Sequence, residues 1–296
     1  MRDLLRSGFF RYTHSSVFKV CTALCIAFAA LFSYRIYRAV ELNEFTFMFA
    51  SVTFAVLITF SVGNETSKCI RNKIPTGCTR SQVYFSELIL ANLFILFYFI
   101  LFLIFALALN FRLLSHIPVK LALAAGFGFL CMALLFANVF AALTCIISSK
   151  TASVTVCLVL IIAMFLTSET LADMLDQSEF YKVGHADNGG EMEFYLVENP
   201  DYVHEPWRSI LTFYRDANPY GQRWEYEDIL QPFLYDDLDW EQAKEATANT
   251  IGNDFLRRET SEDEWAYLSR TPFAMLAPIP FFIIGGWLVF RKRSFN

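Results

Sequence analysis

Residues 88–109 read LILANLFILFYFILFLIFALAL, a run with no charged side chain that is apolar on every face a helix can present. A helix of that kind belongs in a large core or in lipid, and about 20 such residues cross the ~30 Å hydrocarbon layer of a bilayer. Five further stretches, 17–34, 45–62, 121–147, 152–168 and 273–290, approach or reach the same length. The stretches 17–34 and 152–168 are short and must draw on their flanks. Backbone polar groups find no water in lipid, so each stretch is expected as a helix rather than a strand. The expected fold class is an all-α polytopic membrane protein with six transmembrane helices.

The charge is segregated in the same way. Residues 169–272 hold 24 acidic and 8 basic side chains, a formal −16, while the rest of the 296-residue chain carries +11. A basic, apolar body with an acidic insert predicts a membrane protein with one water-exposed domain, and it excludes a disordered chain. Lys and Arg also set the orientation. With the N-terminus inside, the inner face receives 12 of them and the short outer loops 4. Both termini are therefore expected in the cytoplasm and residues 169–272 outside the cell.

No A-x-A-like cleavage site follows the first apolar stretch, so the N-terminus is not read as a cleaved signal peptide. Leu4, Leu5, Gly8, Phe9 and Tyr12 recur at helical spacing, with Arg2, Arg6 and Arg11 largely off that stripe. An interfacial amphipathic helix over 1–16 is expected. Phe10 interrupts the stripe, and a frayed basic tail is the alternative.

Lone chemical signals are weak. The cysteines (Cys21, Cys25, Cys69, Cys78, Cys131, Cys145, Cys157) all lie outside 169–272 and show no ligand spacing, which predicts neither a disulfide framework nor a zinc site. His14, His116, His185 and His204 are scattered. Asp236, Asp237 and Asp239 form an acidic cluster without the EF-hand pattern; it is either a solvated face or a surface that attracts cationic substrate. Asn92, Asn138 and Thr144 lie inside apolar stretches, where interhelical hydrogen bonds are the expected use of such residues. The chain has no GxxxxGK[ST], so a nucleotide that drives it must bind another polypeptide.

Between the second and third stretches the chain reads GNETSKCIRNKIPTGCTRSQVYFSELI, residues 63–89. Residues 66–73 can form a short helix, Pro75 and Gly77 break it, and a new helix starts at Ser81. A short charged helix below the bilayer is either a docking surface or simply the basic loop that any inner face carries. Gly63-x-Glu65, Ile70-Arg71-Asn72-Lys73, Gly77-x-x-Arg80, Val83-Tyr84 and Ser86 resemble the permeases of the type-2 ABC exporter family, the Gram-positive group associated with drug and antimicrobial-peptide export. Cys69, where threonine is common, and Asn64 depart from that pattern. A second element, Asn199-Pro200-Asp201-Tyr202, then Arg208, then Asn218-Pro219-Tyr220-Gly221-Gln222, is similar to the same group's N-P-x-Y … R … P-x-G-Q. The ending Gly285-Gly286-Trp287 … Phe290-Arg291-Lys292-Arg293 is similar as well.

The resemblance implies a multi-pass permease of a bacterial plasma membrane, paired as a homodimer or heterodimer with a second permease. Two ATP-binding subunits would carry the ATP and Mg²⁺, leaving this chain with membrane lipid around it and no catalytic site, cofactor, metal or nucleic acid of its own. Residues 63–87 would then be the coupling loop, with Glu65, Arg71, Asn72, Lys73 and Arg80 meeting the ATPase. The implied organisation is an interfacial helix (1–16), transmembrane helices 1–5 (17–168), an acidic extracellular domain (169–272), and a sixth transmembrane helix with a cytoplasmic tail (273–296).

For 169–272 itself, Trp207, Trp224, Trp240 and Trp265 with interleaved tyrosines supply enough aromatic surface for a small core. Residues 191–197 alternate like a strand, while 207–214 and 240–256 have helical spacing, which predicts a small mixed α+β domain. Two rivals to the exporter remain at this level. One is a membrane receptor that senses a peptide outside and signals through its inner loop. The other, an intramembrane enzyme, has no acid–base or metal constellation in its stretches to support it.

Overall fold

The computed structural model describes residues 1–37, 77–109, 118–147, 149–186, 192–222, 229 and 262–292. Among them the chain is mainly helical: α1 (Arg2–His14), α2 (Ser16–Tyr37), α3 (Arg80–Leu109), α4 (Val119–Ile146), α5 (Lys150–Leu175), α6 (Trp207–Ala217), α7 (Glu262–Leu276) and α8 (Ile279–Lys292). Between α5 and α6, β1 (Phe180–Ala186) and β2 (Met192–Glu198) pair antiparallel, with Val183 opposite Tyr195.

Four helical segments are long and apolar enough to cross a membrane: Arg80–Phe105, Val119–Ile146, Thr151–Leu175 and Trp265–Lys292. A fifth results if α1 and the start of α2, bent by 67°, are taken as one span. The expected stretch 45–62 lies outside the described residues.

The helices overrun the stretches expected from hydropathy. α3 begins at Arg80, one residue before the start expected at Ser81 and two turns before the apolar run at 88, and α5 continues past Ser168 to Leu175. The last segment is not one unbroken helix over 273–290. It starts at Glu262 and breaks between α7 and α8, where Pro278 and Pro280 lack the amide hydrogens a continuous helix needs. The bend between α1 and α2 also has a local cause. Ser15 has extended backbone, and its hydroxyl accepts from Phe18 N at 3.1 Å while donating to Tyr12 O at 2.7 Å. It ends one helix and caps the next.

α4 is the hub. In its most apolar stretch 72% is buried, against 39% for α3, 22% for α5 and 17% for the α7–α8 segment. Its residues Phe136, Ala137, Phe140, Ala141 and Cys145 pack with Tyr84, Ile95, Ile161, Tyr220 and Phe290 in the main core. The outer surface is apolar instead. Leu93, Ile100 and Ile104 on α3, Val159, Ile162 and Leu166 on α5, and Phe281 and Ile284 on α8 are all exposed. Exposed apolar surface on this scale, around an interior that contains Glu87, Asn138 and Thr144, inverts the soluble pattern and is compatible with a multi-pass membrane protein.

Candidate functional site

Three polar assemblies interrupt the apolar packing. The first zips the start of α3 to the end of α8. Arg80 Nη1 donates to the Arg291 carbonyl at 2.6 Å, Trp287 Nε1 to Ser81 Oγ at 3.0 Å, and Tyr84 Oη to the Ile283 carbonyl at 3.0 Å. A guanidinium on the last carbonyls of a helix also opposes the negative end of its dipole. Gly286 lets the two helices approach: a Cβ there would run into Tyr84 Oη and lie 3.1 Å from Ala142 Cβ. Thus Arg80 and Tyr84 of one sequence motif and Gly286, Trp287 and Arg291 of another, far apart in the chain, form one joint. Gly77 precedes it with φ +92°, a conformation that glycine adopts readily; the short helix expected over 66–73 lies outside the described residues.

Beside this joint, α1 lies on α3. Gly8 and Tyr12 are buried, Phe9 stacks on Phe94 with ring centroids 5.7 Å apart, and Tyr12 Oη donates to Glu87 Oε2 at 2.9 Å. Leu5, Gly8 and Tyr12 of the stripe are therefore a packing face against α3, while Phe9 and Phe10 stay largely exposed. Glu87, a carboxylate only 3% exposed, gave no signal in the sequence because nothing local marks it.

The second assembly is the pair Asn92 and Asn138, joining α3 to α4 as expected of amides in apolar stretches. Thr144 behaves differently from that expectation: its hydroxyl donates to Ala141 O within its own helix.

The third is built by 199–222 at the opposite end of the bundle. Asn199 is buried; its amide donates to Ser178 O at 2.9 Å and its Oδ1 accepts from Asp201 N at 3.0 Å. Arg208 donates to Leu175 O at 2.8 Å, covering the carbonyl end of α5, and its guanidinium lies 4.7 Å from the centre of the Tyr202 ring. Past α6 the chain turns into the bundle. Asn218 Nδ2 donates to Met164 O at 2.8 Å, and the buried Tyr220 ring meets Phe136 of α4 and Phe165 of α5 edge-on, at 6.1 and 5.8 Å. Gln222 Nε2 donates to Asp216 O and, at 3.4 Å, to Thr271 O of α7. Asp216, also buried, pairs with Arg215 at 3.3 Å and Arg270 at 3.0 Å. Gly221 is needed where the turn closes, since a Cβ would lie 2.5 Å from Arg215 O.

These contacts tie the described part of 199–222 to the helices on either side of it. At least 208–222 is anchored in the helical bundle, and 262–272 is the start of its last segment. The strand expected over 191–197 and the helix over 207–214 are present as β2 and α6; β1 was not foreseen. Glu65, Arg71, Asn72, Lys73, Asp236, Asp237 and Asp239 lie outside the described residues, as does 240–256. Arg80 alone of the expected coupling residues is placed. Among the described residues, no three His, Cys, Asp or Glu side chains are grouped to hold a metal ion. No family model, curated protein or solved structure matches the chain.

Proposed function

We propose that this chain is the permease subunit of an ATP-driven ABC exporter, moving an amphipathic substrate (a peptide, an antimicrobial or a lipid-like compound) out of the cell with a separate ATP-binding subunit and a second permease. In this reading it spans the plasma membrane six times, with both termini in the cytoplasm and the polypeptide between α5 and α7 on the outer side. The observation that supports it best is the joint of Arg80, Ser81 and Tyr84 with Ile283, Trp287 and Arg291. Force applied by an ATPase to the loop ending at Gly77 enters α3 where α3 is bonded to α8, so one push moves two spans. Of the residues making that joint, Arg80, Tyr84, Trp287 and Arg291 also carry the resemblance to exporter permeases.

Purification of the chain from its native membrane with its partners tests this directly. A nucleotide-binding subunit is expected to accompany it, and its absence would remove the reading. Within such a complex, Glu65→Ala and Arg71→Ala are expected to lower transport and substrate-stimulated ATP hydrolysis while membrane insertion stays intact.

A further inference from the structure

α6 turns one face to the bundle and leaves the other bare. Trp207, Ile210, Phe213 and Tyr214 recur at helical spacing and are 64%, 52%, 56% and 47% exposed, while Asp216 is buried against Arg215 and Arg270. Two hydrogen bonds fix the helix's level. Arg208, near its start, reaches the last residue of α5 (Leu175), and Asn218, at its end, reaches Met164. α6 therefore runs antiparallel beside the final twelve residues of α5, a length of roughly 16 Å at 1.5 Å per residue step. Tyr220 beyond it lies between Phe136 and Phe165, both close to the midpoints of their helices.

We propose that the Trp207, Ile210, Phe213 and Tyr214 face of α6 is a lipid-contact surface, inserted into the leaflet at the Leu175 end of the bundle. This rests on α4 and α5 spanning a membrane, but not on transport or on any ATPase. α5, the helix it runs beside, also exposes apolar side chains at Val159, Ile162, Leu166 and Met174. Tryptophan and tyrosine, each an apolar ring with one polar atom, are the side chains that settle at the headgroup level. The irregular backbone that follows satisfies the rule for non-helical chain at membrane depth, since Asn218, Pro219, Tyr220, Gly221 and Gln222 are all buried in protein.

Nitroxide labels on Ile210→Cys and Phe213→Cys in the full chain, in vesicles of palmitoyl-oleoyl phosphatidylcholine and phosphatidylglycerol, test this by collision with oxygen and with a water-soluble nickel chelate. Val159→Cys and Leu166→Cys serve as span references and Glu205→Cys as the water reference; the unsubstituted chain gives the background from its own thiols. The expected result is an oxygen-to-nickel ratio at 210 and 213 that matches 159 and 166 and lies several-fold above 205. A ratio at 210 and 213 equal to that at 205, with 159 and 166 still lipid-like, would overturn the proposal and leave the spans intact. Labels at 210 and 213 closed to both reagents would also overturn it, in favour of a protein cover. Nickel access at 159 and 166 as well would remove the membrane reading beneath it. Should either α6 variant fail to fold, Trp207→Cys on the same face gives the same readout.

Discussion

The side-chain amides of Asn92 and Asn138 bond to each other twice, Nδ2 to Oδ1 at 3.0 Å in one direction and 2.9 Å in the other. Each amide also donates to the carbonyl one turn back in its own helix, Leu88 and Leu134, at 2.8 Å. Every amide hydrogen in the pair is thereby used, in a setting where an orphan would have no water. Asn92→Leu or Asn138→Leu alone strands the other amide, and each is expected to cost about 1–2 kcal/mol. The double replacement should cost less than the sum, with a coupling of about 1 kcal/mol by reversible unfolding in mixed micelles. Additive losses would mean that the pair does not act as a unit.

The Tyr12 hydroxyl holds α1 to α3 through Glu87. Tyr12→Phe keeps the ring contacts with Phe94 and removes that bond, for an expected loss of about 1–2 kcal/mol. Proteolysis of α1 in intact vesicles should accelerate accordingly. Glu87→Gln keeps an acceptor for Tyr12 and is expected to be milder; an equal or larger acceleration would show that the carboxylate has a further role.

Adjacent glycines in α8 should respond differently to the same change. Gly285→Ala meets no atom within 4 Å and is expected to be neutral, or stabilising by up to about 1 kcal/mol through helix propensity. Gly286→Ala drives a methyl into Tyr84 Oη, which cannot yield without losing its bond to Ile283, and should cost about 1–3 kcal/mol. Thermal unfolding of the two variants side by side measures the contrast, and equal stabilities would refute the close packing of α3 on α8.

At the other end, Asp216 is shared by two arginines while Arg270 holds only one arm of the pair and is 60% exposed. Asp216→Ala is therefore expected to destabilise more than Arg270→Ala, which should cost about 1 kcal/mol or less. The reverse order in chemical unfolding would place the anchor of α6 elsewhere.

How much of this the sequence disclosed follows from the range of each interaction. The apolar run 88–109 announces a span because hydropathy is a sum over neighbours. In the two turns before it, from Arg80 to Glu87, the helix start is legible at Ser81 but the burial is not: Tyr84 and Glu87 are buried where α8 and α1 lie against them. β2 alternates and is legible, whereas β1, with Lys182, Gly184 and His185 in it, is defined by its partner. Pro278 and Pro280 were visible throughout, but the strength of the apolar run around them masks the break. The turn at Asn218 and Gln222 finds its partners 54 and 49 residues away, so its pattern marks the residues without saying where they go.

The position of Tyr220 has a consequence for biosynthesis. The ribosome delivers α4 and α5 before 199–222, and α7 only afterwards. The aromatic slot formed by Phe136 and Phe165, and the Met164 carbonyl, therefore exist before Arg270 and Thr271 have been made. The turn can seat first, with α7 closing over it as the final act of maturation. A nascent chain arrested after residue 261 should already shield Tyr220 from iodination, yet lack the Asp216–Arg270 pair that locks the assembled protein.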